Sequence, residues 1–277
     1  MASSGRAKNA AEENRTLGEG EDISGIIRDA NRAPVGPDIL LTMWVFPLAA
    51  AAVALVFTGF LAKLFAARRR PYQAAWSAAL LMYSVASIAL FMGVLSGWTP
   101  TGFRVYWLFG AVLNVPFLFL GELYLLVKRP MAANLVAVIL VFLTAYAVAK
   151  VMNAPIHTEA LTTDLPLGKD VLGDGTTPYR LAQYLAYPAY FLLVAGCLWS
   201  AWRMRSLPEL RDRFVGTLLI AVGATIVAIG SGVGAGLDIV PVFSVGLLAG
   251  IAVMFWGFLR ASRTVPDRDP TAATAST

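Results

Sequence analysis

The sequence predicts an all-α, polytopic membrane protein: a seven-transmembrane-helix bundle with its N-terminus outside and its C-terminus in the cytoplasm. Three observations predict it. Seven apolar runs fill the chain from about residue 39 to about residue 260, each near the ~20 residues that a helix needs to cross a hydrocarbon core of about 30 Å. Of the 277 residues, 58% are hydrophobic and 14% charged, whereas a soluble domain carries roughly 25% charged residues. Lysine and arginine gather on alternate loops, which sets orientation.

Residues 1–37 form a polar tail of mixed charge without the apolar core of a signal peptide. Residues 1–20 read as disordered. Ile23, Ile26 and Ile27 behind Asp22 suit either a short amphipathic turn on the membrane surface or a few residues of unstable helix. The seven-helix domain occupies 38–263. Span 1 covers about 39–66 and stops at Lys63 and Arg68 to Pro71; span 2 covers about 73–95 and closes at Gly97, Trp98, Thr99 and Pro100. Span 3, about 103–127, stops at Lys128, Arg129 and Pro130, and span 4 follows over about 132–152. Span 5 is about 179–202, ending in Arg203 and Arg205. Span 6, about 214–233, passes by a short Gly-rich link to span 7, about 238–260. Proline and clustered charge mark the ends because neither continues an apolar helix. The tail 264–277 reads as disordered with no room for a domain, so any output passes through a partner.

Loops 1–2, 3–4, 5–6 and the C-terminal flank hold Lys63, Arg68, Arg69, Arg70, Lys128, Arg129, Arg203, Arg205, Arg211, Arg213, Arg260, Arg263 and Arg268. The opposite side, apart from the N-terminal tail with Arg28 and Arg32, has Arg104, Lys150, Lys169 and Arg180. The bias assigns the first set to the cytoplasm. On the outer side, loop 154–178 holds His157, Glu159, Asp164, Lys169, Asp170 and Asp174. It is either a lid, with a small hairpin or turn near Leu165 to Gly173, or a solvated connector.

Ionisable residues inside a span are costly and face the protein interior or water. Glu122 lies about 9 Å of helix rise before Lys128. It is either a proton, cation or ligand site, or a carboxylate satisfied by a neighbouring helix. In the same span, Pro116 removes the donor that the Val112 carbonyl expects, and Asn114 can meet the freed group, a ligand or a neighbouring helix. Asn114 and Gly121, seven residues apart, share a face. Arg104, Lys150 and Asp238 sit near outer span ends and either ring an outward cavity that binds an anionic or zwitterionic head group, or snorkel or form surface ion pairs. Tyr187 is the deepest of an aromatic group beside Pro188. The candidate ligand-binding residues are therefore Asn114, Glu122, Tyr187, Arg104 and Asp238, with Pro116 and Pro188 as hinges.

Several chemistries lack their residues. One cysteine, Cys197, allows no intrachain disulfide and no dithiol chemistry. The single histidine, His157, lies in a loop, which leaves no intramembrane haem or zinc ligands and no partner for Ser231 in a serine protease. The glycine run 230–236 lacks the Lys-Ser/Thr ending of a phosphate loop, and tight turning with close helix contact explains it better. Gly246 and Gly250 make a small-residue packing pair. Span 7 has no lysine for retinal. No cofactor, metal or nucleic acid is expected, and no enzymatic activity.

An Arg-rich first loop with proline (Arg68 to Pro71), Trp76 opening span 2, the start of span 3 from Phe103 and Arg104 through Val105, Tyr106 and Trp107, and then Pro116 form an ordered set over about 39–127. In these features the chain resembles the seven-helix membrane sensor region at the N-terminus of some bacterial histidine kinases. The resemblance implies a sensor-like bundle and transfers no functional residue; no kinase, cyclase or other output domain follows span 7. The chain also resembles uncharacterised seven-helix proteins of high-GC bacteria, as does its 17 arginines to 5 lysines. The expectation is a non-enzymatic sensor or accessory subunit in the plasma (inner) membrane of a bacterium, binding a small lipophilic ligand and a cytoplasmic or membrane protein partner. The alternative is a transporter or channel component using Glu122 as a proton or ion site.

Overall fold

The computed structural model describes residues 37–127, 130–162, 165–236 and 240–262. The chain divides into two units, 1–42 and 43–277, and the spans, from Val45 onward, lie in the second. Seven helices are long and apolar enough to cross a membrane: Val45–Arg68, Pro71–Ser96, Pro100–Leu126, Pro130–Met152, Thr177–Met204, Pro208–Gly234 and Pro241–Ser262. Among the described residues there is no strand. The chain is a multi-pass helical membrane protein.

Local chemistry sets the ends. Proline opens spans 2 and 3, where a missing N–H costs nothing. The Thr99 hydroxyl accepts from the Gly102 N–H at 3.0 Å and caps span 3. Span 1 turns into span 2 through Arg69 at φ 52, the left-handed conformation that commonly closes a helix, here with the Arg69 N–H donating to the Phe65 carbonyl at 2.8 Å.

The spans are apolar all round, as lipid-immersed helices are, so residue size and polar contacts decide which faces meet. Span 2 is a row of donors. Ser84 Oγ donates to the Ala51 carbonyl of span 1 at 2.9 Å, and the Tyr83 hydroxyl to Leu247 of span 7 at 2.8 Å. Phe57 of span 1 stacks on Phe255 of span 7 at 4.7 Å between centroids. Span 4 is the most peripheral, with 17% of its apolar window buried against 33 to 50% for the others.

Spans 6 and 7 meet along glycines. A Cβ placed on Gly216 would stand 2.5 Å from the Gly257 carbonyl oxygen, and one on Gly223 would stand 2.6 Å from that of Gly250. Gly230 and Gly246 face each other in the same way, each Cβ position 2.8 Å from the other's Cα. Two antiparallel backbones thus lie closer than any side chain permits. Close helix contact accounts for the start of the 230–236 run, as expected. The turn does not fall there: the helix continues to Gly236, and Gly234 leaves room for the Phe243 backbone where its Cβ would stand.

Loop 153–176 folds over one end of the bundle. A 3-10 turn, Thr158–Thr162, and a single helical turn, Gly168–Leu172, stand where a hairpin or turn was expected. Leu161, Leu165, Val171 and Leu172 are buried in the cluster that holds Trp98 and Phe103. Four apolar side chains withdrawn from water make this a cap with its own core contacts rather than a solvated connector. Gly168 lies under the Trp107 ring with no room for a Cβ.

Candidate functional site

Span 3 is three pieces: α-helix Pro100–Tyr106, π-helix Trp107–Leu113 and α-helix Asn114–Leu126. Pro116 gives this irregularity a cause. In an α-helix the Val112 carbonyl seeks the N–H four residues on, which Pro116 lacks; π geometry pairs carbonyls five residues on, where Phe117 has one. The disturbance expected at Val112 therefore spreads upstream to Trp107, under the cap.

Below the π segment, span 3 turns polar groups toward spans 2 and 5. Asn114, 5% exposed, donates from Nδ2 to the Ala79 carbonyl of span 2 at 2.8 Å. Gly121, seven residues on, lies against the Trp76 ring, which occupies the space its Cβ would need. The two share the face toward span 2, as the spacing predicts. Trp76 Nε1 donates to the Leu118 carbonyl at 2.9 Å, which pins the indole on Gly121.

Glu122, next in sequence, is 3% exposed and faces span 5. Its carboxyl lies beside the Cys197 thiol of span 5. Gly196 makes room: a Cβ there would stand 3.3 Å from Glu122 Cγ. The one ion pair among the described residues joins Arg260 to Asp212, so Glu122 has no basic partner there. A carboxyl in such a place is tolerated when it holds a proton or meets a cation.

The other predicted residues stand apart. Tyr187 is 62% exposed on the outside of span 5 and lines nothing with Glu122. Pro188 is likewise exposed, inside a helix that runs unbroken over Thr177–Met204. Arg104 donates from its terminal nitrogen to the Ala154 carbonyl at 2.7 Å, fastening span 3 to the end of span 4, and its buried Nε has no partner among the described residues. Asp238 lies outside the described residues. The structure thus brings Asn114, Pro116 and Glu122 into one helix face-to-face with spans 2 and 5, and leaves Arg104 at the cap end and Tyr187 on the lipid side.

Sequence reasoning missed Trp76 as the partner of Gly121, and Gly196 and Cys197 as the neighbours of Glu122. A signal existed in the pairing of small residues, Gly121 beside Glu122 and Gly196 beside Cys197. Space is scarce around them. The enclosed cavity bordered by Phe57, Trp76, Leu118, Leu193 and Met254 measures about 10 Å³, the room of one water. A larger open groove, about 500 Å³, runs outside along spans 6 and 7 between Ile226, Pro241 and Val245, lined by apolar groups. Among the described residues, no group of three or more His, Cys, Asp or Glu is placed to hold a metal ion. No family model, curated protein or solved structure matches the chain.

Proposed function

We propose that the chain is a non-enzymatic membrane sensor or accessory subunit in which span 3 carries a change at the cap to the far end of the bundle. The observation that carries this reading is the course of span 3. One helix touches the cap through Trp107, breaks into π geometry ahead of Pro116, and then engages spans 2 and 5 through Asn114, Gly121 and Glu122. A π segment can revert to α geometry by shifting hydrogen bonds by one residue, which rotates everything beyond it by about 100° of helical phase at most. A small lipophilic ligand then acts by moving the cap; the cavity beside Trp76 and Leu118 has room for about one water. It biases the bundle only through different affinity for the two states, and a protein partner reads the basic end.

The test displaces the cap without a ligand. Gly168→Val drives a side chain into Trp107. A spin label on Leu125→Cys, at the exposed end of span 3, is expected to change its mobility in that variant, and Pro116→Ala to suppress the change. A label on Ile139→Cys of span 4 is the control. An unchanged spectrum at 125, or equal changes at both sites, overturns the reading.

The burial of Glu122 without a basic partner favours a second reading, a transporter or channel component using this carboxyl as a proton or ion site. Glu122→Gln keeps the shape and hydrogen-bonding capacity. The sensor reading expects liposomes bearing either protein to show the same proton flux; a flux that Glu122→Gln abolishes in folded protein moves the function to transport.

A further inference from the structure

The turn joining spans 5 and 6 combines three features. Trp199 and Trp202 lie near the end of span 5, 56% and 52% exposed, their rings 5.4 Å apart. Arg205 follows, its guanidinium 5.0 Å over the Trp202 ring. Beyond an exposed Leu207, span 6 begins with the 3-10 turn Pro208–Leu210, and its α-helix opens with Arg211, Asp212 and Arg213. Arg203, Arg205, Arg211 and Arg213 are exposed. Of the two acids here, Asp212 is taken by Arg260 at 3.2 Å, and Glu209 forms no ion pair among the described residues. Four arginines therefore face outward with one uncommitted carboxylate among them.

We propose that this turn binds the phosphate of an anionic phospholipid headgroup. Arginine presents a planar fork that matches phosphate oxygens, and stacking on Trp202 fixes the plane of Arg205 before a ligand arrives. The indoles and Leu207 commit the site to a lipid rather than a free anion. Large apolar groups exposed beside arginines suit the boundary where a headgroup meets its acyl chains, and a soluble phosphate would leave them in water. The turn between spans 1 and 2 serves as an internal contrast. It carries Arg68, Arg69 and Arg70, with Arg69 5.8 Å over Phe65, but has no exposed indole pair. The proposal stands independently of what span 3 transmits.

The test uses the full chain in mild detergent, titrated with dioleoylphosphatidylglycerol or dioleoylphosphatidylcholine and read by native mass spectrometry. Phosphatidylglycerol is expected to bind at least about tenfold more tightly, given the attraction that each arginine near a membrane surface supplies. Replacing Arg203, Arg205 and Arg211 together by glutamine is expected to remove most of that preference. Replacing Arg68, Arg69 and Arg70 by glutamine is expected to keep it. The same three positions of the 5–6 turn changed to lysine, which keeps charge and surface exposure, should retain part of it and report that the chain still folds. Equal binding of the two lipids overturns the proposal, as does a preference that survives the first triple variant. Millimolar inorganic phosphate that displaces the lipid completely would assign the site to a free anion and overturn the lipid.

Discussion

Where spans 6 and 7 cross, backbone carbonyls and glycine Cα atoms stand among the nearest neighbours of each facing glycine; where span 3 meets spans 2 and 5, the neighbours are an indole, an amide, a thiol and a carboxyl. The first contact rests largely on backbone groups, which have no rotamers. Gly216, Gly223 and Gly230 at intervals of seven bring the two backbones together, with Gly257, Gly250 and Gly246 opposite. The second contact is made of side chains that can turn, around a helix whose own hydrogen bonding changes register at Trp107–Leu113. In lipid, where no hydrophobic force drives helices together, close packing and interhelical hydrogen bonds are the two available attractions. This bundle uses them in different places: close glycine packing in the seam of spans 6 and 7, and side-chain hydrogen bonds at the joint around span 3.

The seam is the place to look for the largest effect. Gly223→Leu sets a side chain against the Gly250 carbonyl, which belongs to a backbone with nowhere to go. A loss of about 3 kcal/mol or more is expected, read as a shift in unfolding by denaturing detergent; Gly59→Ala, at a glycine with open space around it, should cost nothing. Equal behaviour of the two would erase the distinction between seam and ordinary glycine.

At the joint the same kind of change should do less. Gly121→Ala pushes only on the Trp76 ring, which can tilt away at a cost of about 1–2 kcal/mol, with a shift in tryptophan emission as the indole leaves the Leu118 carbonyl. A loss as large as that of Gly223→Leu would show that span 3 is as rigid as the seam. Smallest of all, Tyr187→Phe, on the lipid side of span 5, should change stability by less than about 0.5 kcal/mol. A larger loss in the same unfolding measurement would place Tyr187 in a contact that the isolated bundle does not make.

Apolar runs and prolines were enough to place seven spans to within about six residues, since the length of an apolar run and the position of a helix-initiating proline are local properties. Asn114 and Glu122 were legible for a similar reason: polar groups in apolar surroundings are conspicuous. What houses them was not. Trp76 and Cys197 are ordinary residues of apolar helices until another helix places Gly121 or Glu122 beside them. The π segment has an unremarkable helical composition, and only Pro116 hints at it. The cap was ambiguous because Leu161, Leu165, Val171 and Leu172 alternate with glycines and charges in no regular period. Half of the seam was visible in Gly246 and Gly250. The glycines of span 6 gain their meaning only when the two helices are laid antiparallel.

The bond from the Tyr83 hydroxyl to the Leu247 carbonyl joins residues 164 positions apart. A ribosome adding roughly 5–20 residues per second needs about 8 to 33 s to make that stretch. For that interval span 2 waits in the bilayer with its donor unmatched, and Phe57 of span 1 waits for Phe255. Spans 6 and 7, neighbours in sequence, need no such delay and can zip together as they emerge. The same holds for spans 1 and 2, joined through Ser84 and Ala51, so contacts between sequence neighbours can form early, while those that tie spans 1 and 2 to span 7 wait for the whole stretch between them.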